Sequence, residues 1–336
     1  MIIPFFIPHS GCPHQCVFCN QKNITGQTKP VAPQAIPQKI TAFLAKNSSD
    51  QPAHVAFYGG SFTALPFDTQ KAYLAEVQPF IHAGQIAGIR LSTRPDCITN
   101  EILSLLKEYH VTTIELGVQS MDDVVLTLSG RGHTATDTLN AVSLIKSHDF
   151  LIGLQLMPGL PGDSADGFMR TIDAIIGLMP DFVRIYPALV IKDTPLEDLY
   201  ASGRYMPLTL DDAVALCRKA LERLDLAGID VIRIGLQPTE ELEKPGTIIA
   251  GPYHPAFREL VESSIVLDKM RTALRNRTEK TVDITFQVNP RDLSASIGQR
   301  RSTIELLKKE FGLREVRIVE GDNILRRRHP VLLSTV

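Results

Sequence analysis

The sequence has no run of about 18 apolar residues, because Pro4, Pro8, Gly153, Pro158 and similar breakers interrupt every candidate. A membrane-spanning helix needs about 20 such residues, so no membrane segment is expected. A secretory leader is not expected either. Met1-Ile2-Ile3-Pro4-Phe5-Phe6-Ile7-Pro8 has neither a basic opening nor a small-residue cleavage site. Cysteine is scarce: Cys12, Cys16, Cys19, Cys97 and Cys217 make an odd set, three of them within eight residues. A disulfide framework uses an even set. A reducing, cytoplasmic setting with a metal site near the N-terminus fits better. There is no low-complexity tract and no repeat of short fixed period.

Net charge is also small, at −2. Its distribution is uneven. Arg271–Val336 holds 14 Lys/Arg against 8 Asp/Glu, a balance of +6 that leaves −8 for Met1–Met270. An acidic body with a basic tail points to an anionic partner for the tail, or to ordinary surface variation.

What is present suffices for a core. The chain has 336 residues, 44% hydrophobic and 21% charged, which excludes disorder as its general state. That length suits one large domain of roughly 200–250 residues and a smaller one. Short β-branched runs alternate with longer amphipathic stretches. Strands are expected at Ile2–Ile7, Ala53–Tyr58, Gly88–Ser92, Thr113–Val118, Leu151–Met157, Phe182–Leu189 and Asp230–Ile234. Helices are expected near Pro37–Lys46, Asp68–His82, Asn100–Tyr109, Thr136–Ser147, Asp166–Leu178 and Leu210–Ala227. Such alternation means a parallel sheet, and six or seven units suit a βα barrel.

The rhythm stops after Gln237, where Pro238, Pro245, Gly246, Gly251, Pro252 and Pro255 mark a connecting region. A helix is expected from Ala256 to about Arg275. A compact unit follows: strand Thr281–Val288, helix Arg291–Ser296, a turn at Gly298, helix Ser302–Phe311 and strand Glu315–Val319. The expected organisation is an α/β partial barrel over 1–237, a connector over 238–278, an α+β unit over 279–320 and a basic tail over 321–336.

Cys12-Pro13-His14-Gln15-Cys16-Val17-Phe18-Cys19 has the spacing CxxxCxxC. Three thiolates on one short loop can hold three irons of a [4Fe–4S] cube and leave the fourth iron open to a small molecule. S-adenosylmethionine (SAM) chelates such an iron through its amino and carboxylate groups, and an electron from the cluster can then release a 5′-deoxyadenosyl radical. The rivals are a zinc site with His9 or His14 as fourth ligand and chance clustering of structural cysteines. In a βα barrel, chemistry sits at the carboxyl ends of the strands. Those ends carry the cluster loop, Gly59-Gly60-Ser61, Ser92–Asp96, Gly117–Ser120, Met157–Gly162 and Tyr186-Pro187.

The cysteine spacing, with Phe18 beside the last thiol, resembles the signature of radical SAM enzymes. Ile7–Asn20, Gly59-Gly60, Ser92–Asp96, Glu115–Ser120, Arg131-Gly132-His133-Thr134, Met157–Gly162 and Arg184–Thr194 followed by Gly203-Arg204-Tyr205 resemble, in order and spacing, the radical SAM domain of the Elongator catalytic-subunit family. The resemblance covers roughly Met1–Met206. A more distant one is to oxygen-independent coproporphyrinogen oxidases. It implies a partial TIM barrel, Cys12, Cys16 and Cys19 as cluster ligands, and Gly59, Gly60, Ser61, Arg94, Gln119, Met157 and Gly159 around SAM. An electron donor such as ferredoxin or flavodoxin is then an expected partner. Arg94 suits a bound carboxylate, since its fork matches one; the alternative is a structural pair with Asp96. Gln119 can equally be an interior amide, and Tyr186 a wall. Many radical SAM enzymes carry Glu after the paired glycines where this chain has Ser61. Elongator catalytic subunits continue into an acetyltransferase domain, for which no room is expected before Val336. Cys217 reads as a buried hydrophobe. Cys97, His14 and His133 are worth testing, with His133 more a structural hydrogen-bond partner.

The C-terminal strand–helix–turn–helix–strand resembles the core of a KH domain, whose GxxG loop clamps a nucleic-acid backbone. Here Gly298-Gln299-Arg300-Arg301 lacks the second glycine. Gly298, Arg300, Arg301 and Lys308 are the candidate phosphate contacts, with Arg291, Lys309 and Arg326-Arg327-Arg328 nearby. The alternative is a small packing or dimerisation cap. Three functions stay open: a radical SAM enzyme acting on RNA, most plausibly tRNA; one acting on a small molecule such as a porphyrin; and an RNA-binding protein with a structural cluster. No catalytic residue is assigned.

Overall fold

The computed structural model describes residues 1–47, 51–277, 282–321, 324 and 330–333. The chain forms two compact units, Met1–Thr209 with Arg223–Tyr253, and Leu210–Glu222 with His254–Val336.

In the first unit the strands are β1 (Ile2–Phe6), β2 (Ala53–Tyr58), β3 (Ile86–Thr93), β4 (Val111–Gln119), β5 (Leu151–Leu156), β6 (Phe182–Ile185), β7 (Val190–Ile191), β8 (Asp230–Ile234) and β9 (Ile248–Ala250). A seven-stranded sheet runs β1-β2-β3-β4-β5-β6-β8, with every neighbouring pair parallel. Each strand pairs with the next long strand in the chain, which is the winding of a barrel and has no switch point. One cavity is lined by Ile2, Pro4 and Phe6 of β1 and by Arg233 of β8, at the two edges. The sheet is therefore curled into a partial TIM barrel.

Between the strands lie α1 (Gln21–Thr25), α2 (Ile36–Lys46), α3 (Phe67–Ala75), α4 (Gln78–His82), α5 (Asn100–Glu108), α6 (Asp123–Leu128), α7 (Ala135–Ser147), α8 (Ala165–Leu178) and α9 (Pro195–Ala201). Their starts follow from side chains that satisfy orphan N–H groups. Thr99 accepts from Ile102 N, Ser164 from Gly167 N, and Thr134 forms a reciprocal box with Asp137.

Several expectations for this unit change. The helix expected over Asp68–His82 is broken between Ala75 and Gln78, with Pro79 inside the first turn of α4. The strand expected over Phe182–Leu189 ends at Ile185. The chain then forms β7, which pairs antiparallel with β9 in the stretch expected to be a connector. The three short helices α1, α6 and α9 have too few residues for periodicity to show.

The second unit contains α10 (Leu210–Leu226) as far as Glu222, α11 (Phe257–Arg275), β10 (Asp283–Val288), α12 (Leu293–Ile297), α13 (Ser302–Phe311), β11 (Glu315–Glu320) and β12 (Val331–Leu333). β10 pairs parallel with β11 and antiparallel with β12. Val266, Met270 and Leu274 of α11 share one core with Phe286, Ile304, Leu307 and Val316. The helix expected to be part of a connector is thus part of this core. The expected basic tail supplies β12, while Arg326, Arg327 and Arg328 lie outside the described residues.

Candidate functional site

A cavity of about 730 Å³ is lined by residues of all seven strands of the sheet. Its mouth is the loop after β1. Asn20 closes that loop by capping α1 through Asn23 N. The loop is seated on the Gly59-Gly60-Ser61 turn by backbone bonds from His9 N to Gly59 O (2.9 Å) and from Ser61 N to Ser10 O (2.9 Å). A Cβ at Gly60 would lie 2.5 Å from the Ile7 and Ser10 carbonyl oxygens, and one at Gly11 (φ +73°) would lie 2.3 Å from Ser61 O. Only glycine permits that approach. One lone pair of the Gly59 carbonyl is already taken by His9 N.

Cys12 is exposed, Cys19 is half-buried and Cys16 is buried. All three line the cavity. Each thiol has a polar neighbour: Ser61 Oγ lies 3.5 Å from Cys12 Sγ, Gln21 Nε2 lies 3.6 Å from Cys19 Sγ, and Arg131 Nη1 donates to Cys16 Sγ at 3.2 Å. Arg131 is 7% exposed; its Nη2 donates to Gly117 O at 2.6 Å, and its Nε has no partner among the described residues. A guanidinium so deeply buried calls for an anion, and the partner it faces is a thiol. Burial pushes the Cys19 thiol up to about 12, and the neighbouring Cys16 adds to it. The thiolate is the form that ligates metal, and cluster irons beside these sulfurs would supply a cationic partner for it.

The zinc alternative fares worse. His9 Nε2 accepts from Gln21 N at 3.1 Å. His14 packs on Gly132, where a Cβ would lie 2.3 Å from the imidazole. Among the described residues no three His, Cys, Asp or Glu are placed to hold a single metal ion. A cube needs no such convergence, since each thiolate takes its own iron.

Gly59, Gly60, Ser61, Arg94, Gln119 and Met157 line the same cavity. Gly159 does not reach it. Its N–H donates to Asp163 Oδ2 at 2.9 Å, its carbonyl accepts from Tyr205 at 2.6 Å, and φ is +83°. It is a turn glycine. Arg94 is 3% exposed, and its Nε and Nη2 grip both oxygens of Asp96 at 2.9 and 2.8 Å. The fork expected for a ligand carboxylate is occupied by Asp96. Gln119 ends β4 at φ +67°, a backbone conformation that costs a non-glycine residue roughly 1–2 kcal/mol. The strain is held by Met157 N donating to Gln119 O at 2.9 Å and Gln155 Nε2 donating to its Oε1 at 3.3 Å. Cys97 lies beside Asp96, and Cys217 is fully buried, where burial raises its thiol.

The sequence reading missed the polar floor of the cavity. Glu115 is 5% exposed. Its Oε1 accepts from Arg90 (2.7 Å) and from the Tyr58 hydroxyl (3.0 Å), and its Oε2 accepts from Arg184 (2.7 Å). Arg184 Nη1 reaches the Tyr186 oxygen at 3.3 Å. Burial, and then the Glu115 carboxylate, raise the Tyr58 hydroxyl and keep it protonated. The available signal was charge inside apolar strands: Arg90, Glu115 and Arg184 each interrupt such a run.

His133 is buried, and its Nε2 lies 3.2 Å from Val118 O. Burial, then the Arg131 charge, push it down to about 4 from 6.5. Between those values the unfolded chain binds a proton that the folded chain refuses, so stability is lost as pH falls from 6.5 to 4. Urea midpoints measured from pH 7.5 to pH 5 should therefore decline, and His133→Gln should flatten the decline. An unaltered slope in the variant would remove His133 as the cause.

A family model described as the radical SAM superfamily matches residues 6–175, and one described as the radical SAM C-terminal domain matches residues 180–266. The chain belongs to the radical SAM superfamily. It is accordingly a radical SAM enzyme, and the cofactors of that superfamily are a [4Fe–4S] cluster and SAM. An uncharacterized protein of Methanocaldococcus jannaschii is 30% identical over 231 residues, 64% of this chain and 69% of that protein. A tRNA uridine(34) acetyltransferase of Methanocaldococcus infernus is 38% identical over 128 residues, 37% of this chain and 24% of that protein. The chain thus spans about a quarter of that acetyltransferase. The solved archaeal Methanocaldococcus infernus Elp3, with an N-terminal deletion (1–46), superposes with a TM-score of 0.63 at 23% identity, over 79% of this chain and 62% of that one. The radical SAM chain therefore shares the Elp3 fold. No helix among the described residues is long and apolar enough to cross a membrane.

Proposed function

We propose that this radical SAM enzyme modifies RNA, with tRNA as the substrate class. Cys12, Cys16 and Cys19 would hold the cluster, and Gly60, Ser61, Gln119 and Met157 would border SAM. When bound, the pair supplies a 5′-deoxyadenosyl radical after one-electron reduction. The chain's own residues do the rest. Arg131 donates a hydrogen bond to the Cys16 sulfur and so orients it. The Glu115 network holds a charged cavity floor in one arrangement. An external one-electron donor such as ferredoxin or flavodoxin, in the cytoplasm, completes the reading.

The observation that supports RNA is the turn before α13. Gly298 stands at φ +73°, and a Cβ there would lie 2.5 Å from Thr303 Oγ1. Arg300 and Arg301 follow at φ +50° and +64°. Arg301 sits where the second glycine of a GxxG loop would stand, in backbone that glycine prefers. Both arginines are exposed, and no ion pair engages either among the described residues. Four other basic residues of this region are paired. Arg271 pairs with Glu310, Arg314 with Asp283 and Arg317 with Glu315; Lys308 has Glu305 at 4.0 Å. The turn thus carries two exposed arginines with no ion pair among the described residues, in the same unit as Arg291 and Lys309. The tRNA named in the acetyltransferase relative points the same way.

Filter binding of tRNA across a salt series tests the reading. Affinity should fall steeply with salt, because each phosphate contact releases counterions. Arg300→Glu/Arg301→Glu should lower affinity by about tenfold or more and flatten the log–log slope by about 1–2. Glutamate at the start of α13 complements the helix dipole, so folding should survive. Iron content and substrate-free SAM cleavage should stay unchanged. Wild-type protein that binds no tRNA in a salt-dependent way would overturn the RNA reading in favour of a small-molecule substrate.

A further inference from the structure

The barrel cavity holds more positive charge than it balances. Interior positions of βα barrels are normally filled by branched apolar side chains. Here Arg184 of β6 and Arg233 of β8 both line the cavity. They are direct register partners on adjacent parallel strands, and like charges placed so destabilise a sheet. The Glu115 carboxylate is already shared between Arg90 and Arg184. The other cavity guanidiniums are engaged: Arg94 with Asp96, and Arg131 with Cys16 Sγ and Gly117 O. Arg233 is half-buried, and among the described residues it has no hydrogen bond and no ion pair. Arg90, which does not line the cavity, and Arg184 both draw on the Glu115 carboxylate, so the charge of Arg233 has no counter-charge among the described residues. The Tyr186 oxygen accepts from Arg184, so its own O–H is free to donate inward.

We propose that Arg233, with Arg184 and the Tyr186 hydroxyl, forms an oxyanion subsite for a phosphate group of the substrate. An arginine fork matches the oxygens of phosphate, and a phosphate relieves the repulsion between the paired strands. The subsite rests on this cavity alone and stands whether or not RNA is the substrate. On the RNA reading the group is a phosphodiester beside the nucleotide that enters the barrel. On a small-molecule reading it is the phosphate of that molecule.

The test uses the anaerobic holoenzyme saturated with SAM, so that the SAM carboxylate is already accommodated. Thermal unfolding is followed against inorganic phosphate, with chloride at matched ionic strength as the control. Wild type should gain about 2–4 °C at roughly tenfold excess over the dissociation constant. Arg233→Gln should show no phosphate gain, and in chloride it should melt no lower than wild type, because a repulsion has been removed. Arg233→Lys, which keeps the charge without the fork, should retain a smaller gain. Equal gains in wild type and Arg233→Gln would overturn the proposal. So would a wild-type gain that vanishes once SAM is saturating, since the anion site would then belong to SAM. Binding of tRNA to Arg233→Gln separates the sources: weakened binding assigns the subsite to an RNA phosphodiester, and undiminished binding assigns it to a small phosphorylated substrate. Failure of the RNA reading shows instead at Arg300 and Arg301, in the other unit, so the two are told apart.

Discussion

Cys16→Ala should yield a folded chain that loses the broad visible absorbance of its cluster and all reductive SAM cleavage. Anaerobically reconstituted wild type should hold about four irons per chain, one for each of three thiolates and one left open. Cys16 is the deepest of the three cysteines and the one that Arg131 contacts. Alanine there removes the thiol proposed as a ligand and also strips the buried guanidinium of its sulfur partner. Loss should therefore be near complete. The fold should persist, because only a sulfur atom is deleted and the loop is seated by backbone bonds to Gly59 and Ser61. Iron analysis and visible spectra check the first part, and circular dichroism the second. A variant with full iron content and unchanged SAM cleavage would show that Cys16 is not a ligand.

Glu115→Gln should cause the largest loss of stability of any single polar substitution in the barrel. The wild-type carboxylate accepts from Arg90, Arg184 and Tyr58, with its side chain 6% exposed. The amide keeps the shape and deletes the charge. Two guanidiniums then face each other without a counter-ion. Breaking a buried pair in this way costs about 3–5 kcal/mol. Urea unfolding of the two proteins under the same conditions measures it. Adding Arg90→Gln should recover part of the loss, because it removes one of the stranded charges. A loss under about 1 kcal/mol would mean that solvent screens the network, as at a surface pair.

Much of this was legible in the sequence, for local reasons. The three cysteines lie within eight residues, so their shared loop needs no tertiary knowledge. The barrel strands announce themselves as β-branched runs, and Thr99, Thr134 and Ser164 mark helix starts by their own chemistry. Charge pairing is another matter. Arg131 meets Cys16 across 115 residues, and Arg184 meets Glu115 across 69. Only the tertiary fold brings such partners together. Arg94 shows the reverse. Its partner is two residues away, and the local pair claims the fork expected for a ligand. Gly159 sits in a motif at a strand end, yet its backbone groups turn to Asp163 and Tyr205 rather than into the cavity. Helix α11 resembled a connector because its neighbours are rich in proline and glycine. Its apolar face finds a partner only once β10 and β11 are laid side by side.

The most direct measurement is anaerobic turnover of the reduced holoenzyme with SAM, in the presence and absence of tRNA, with 5′-deoxyadenosine read by mass spectrometry. A radical SAM enzyme that acts on RNA should form 5′-deoxyadenosine, form more of it when tRNA is added, and form none as the Cys16→Ala variant. A four-iron protein that makes no 5′-deoxyadenosine under any of these conditions would contradict it.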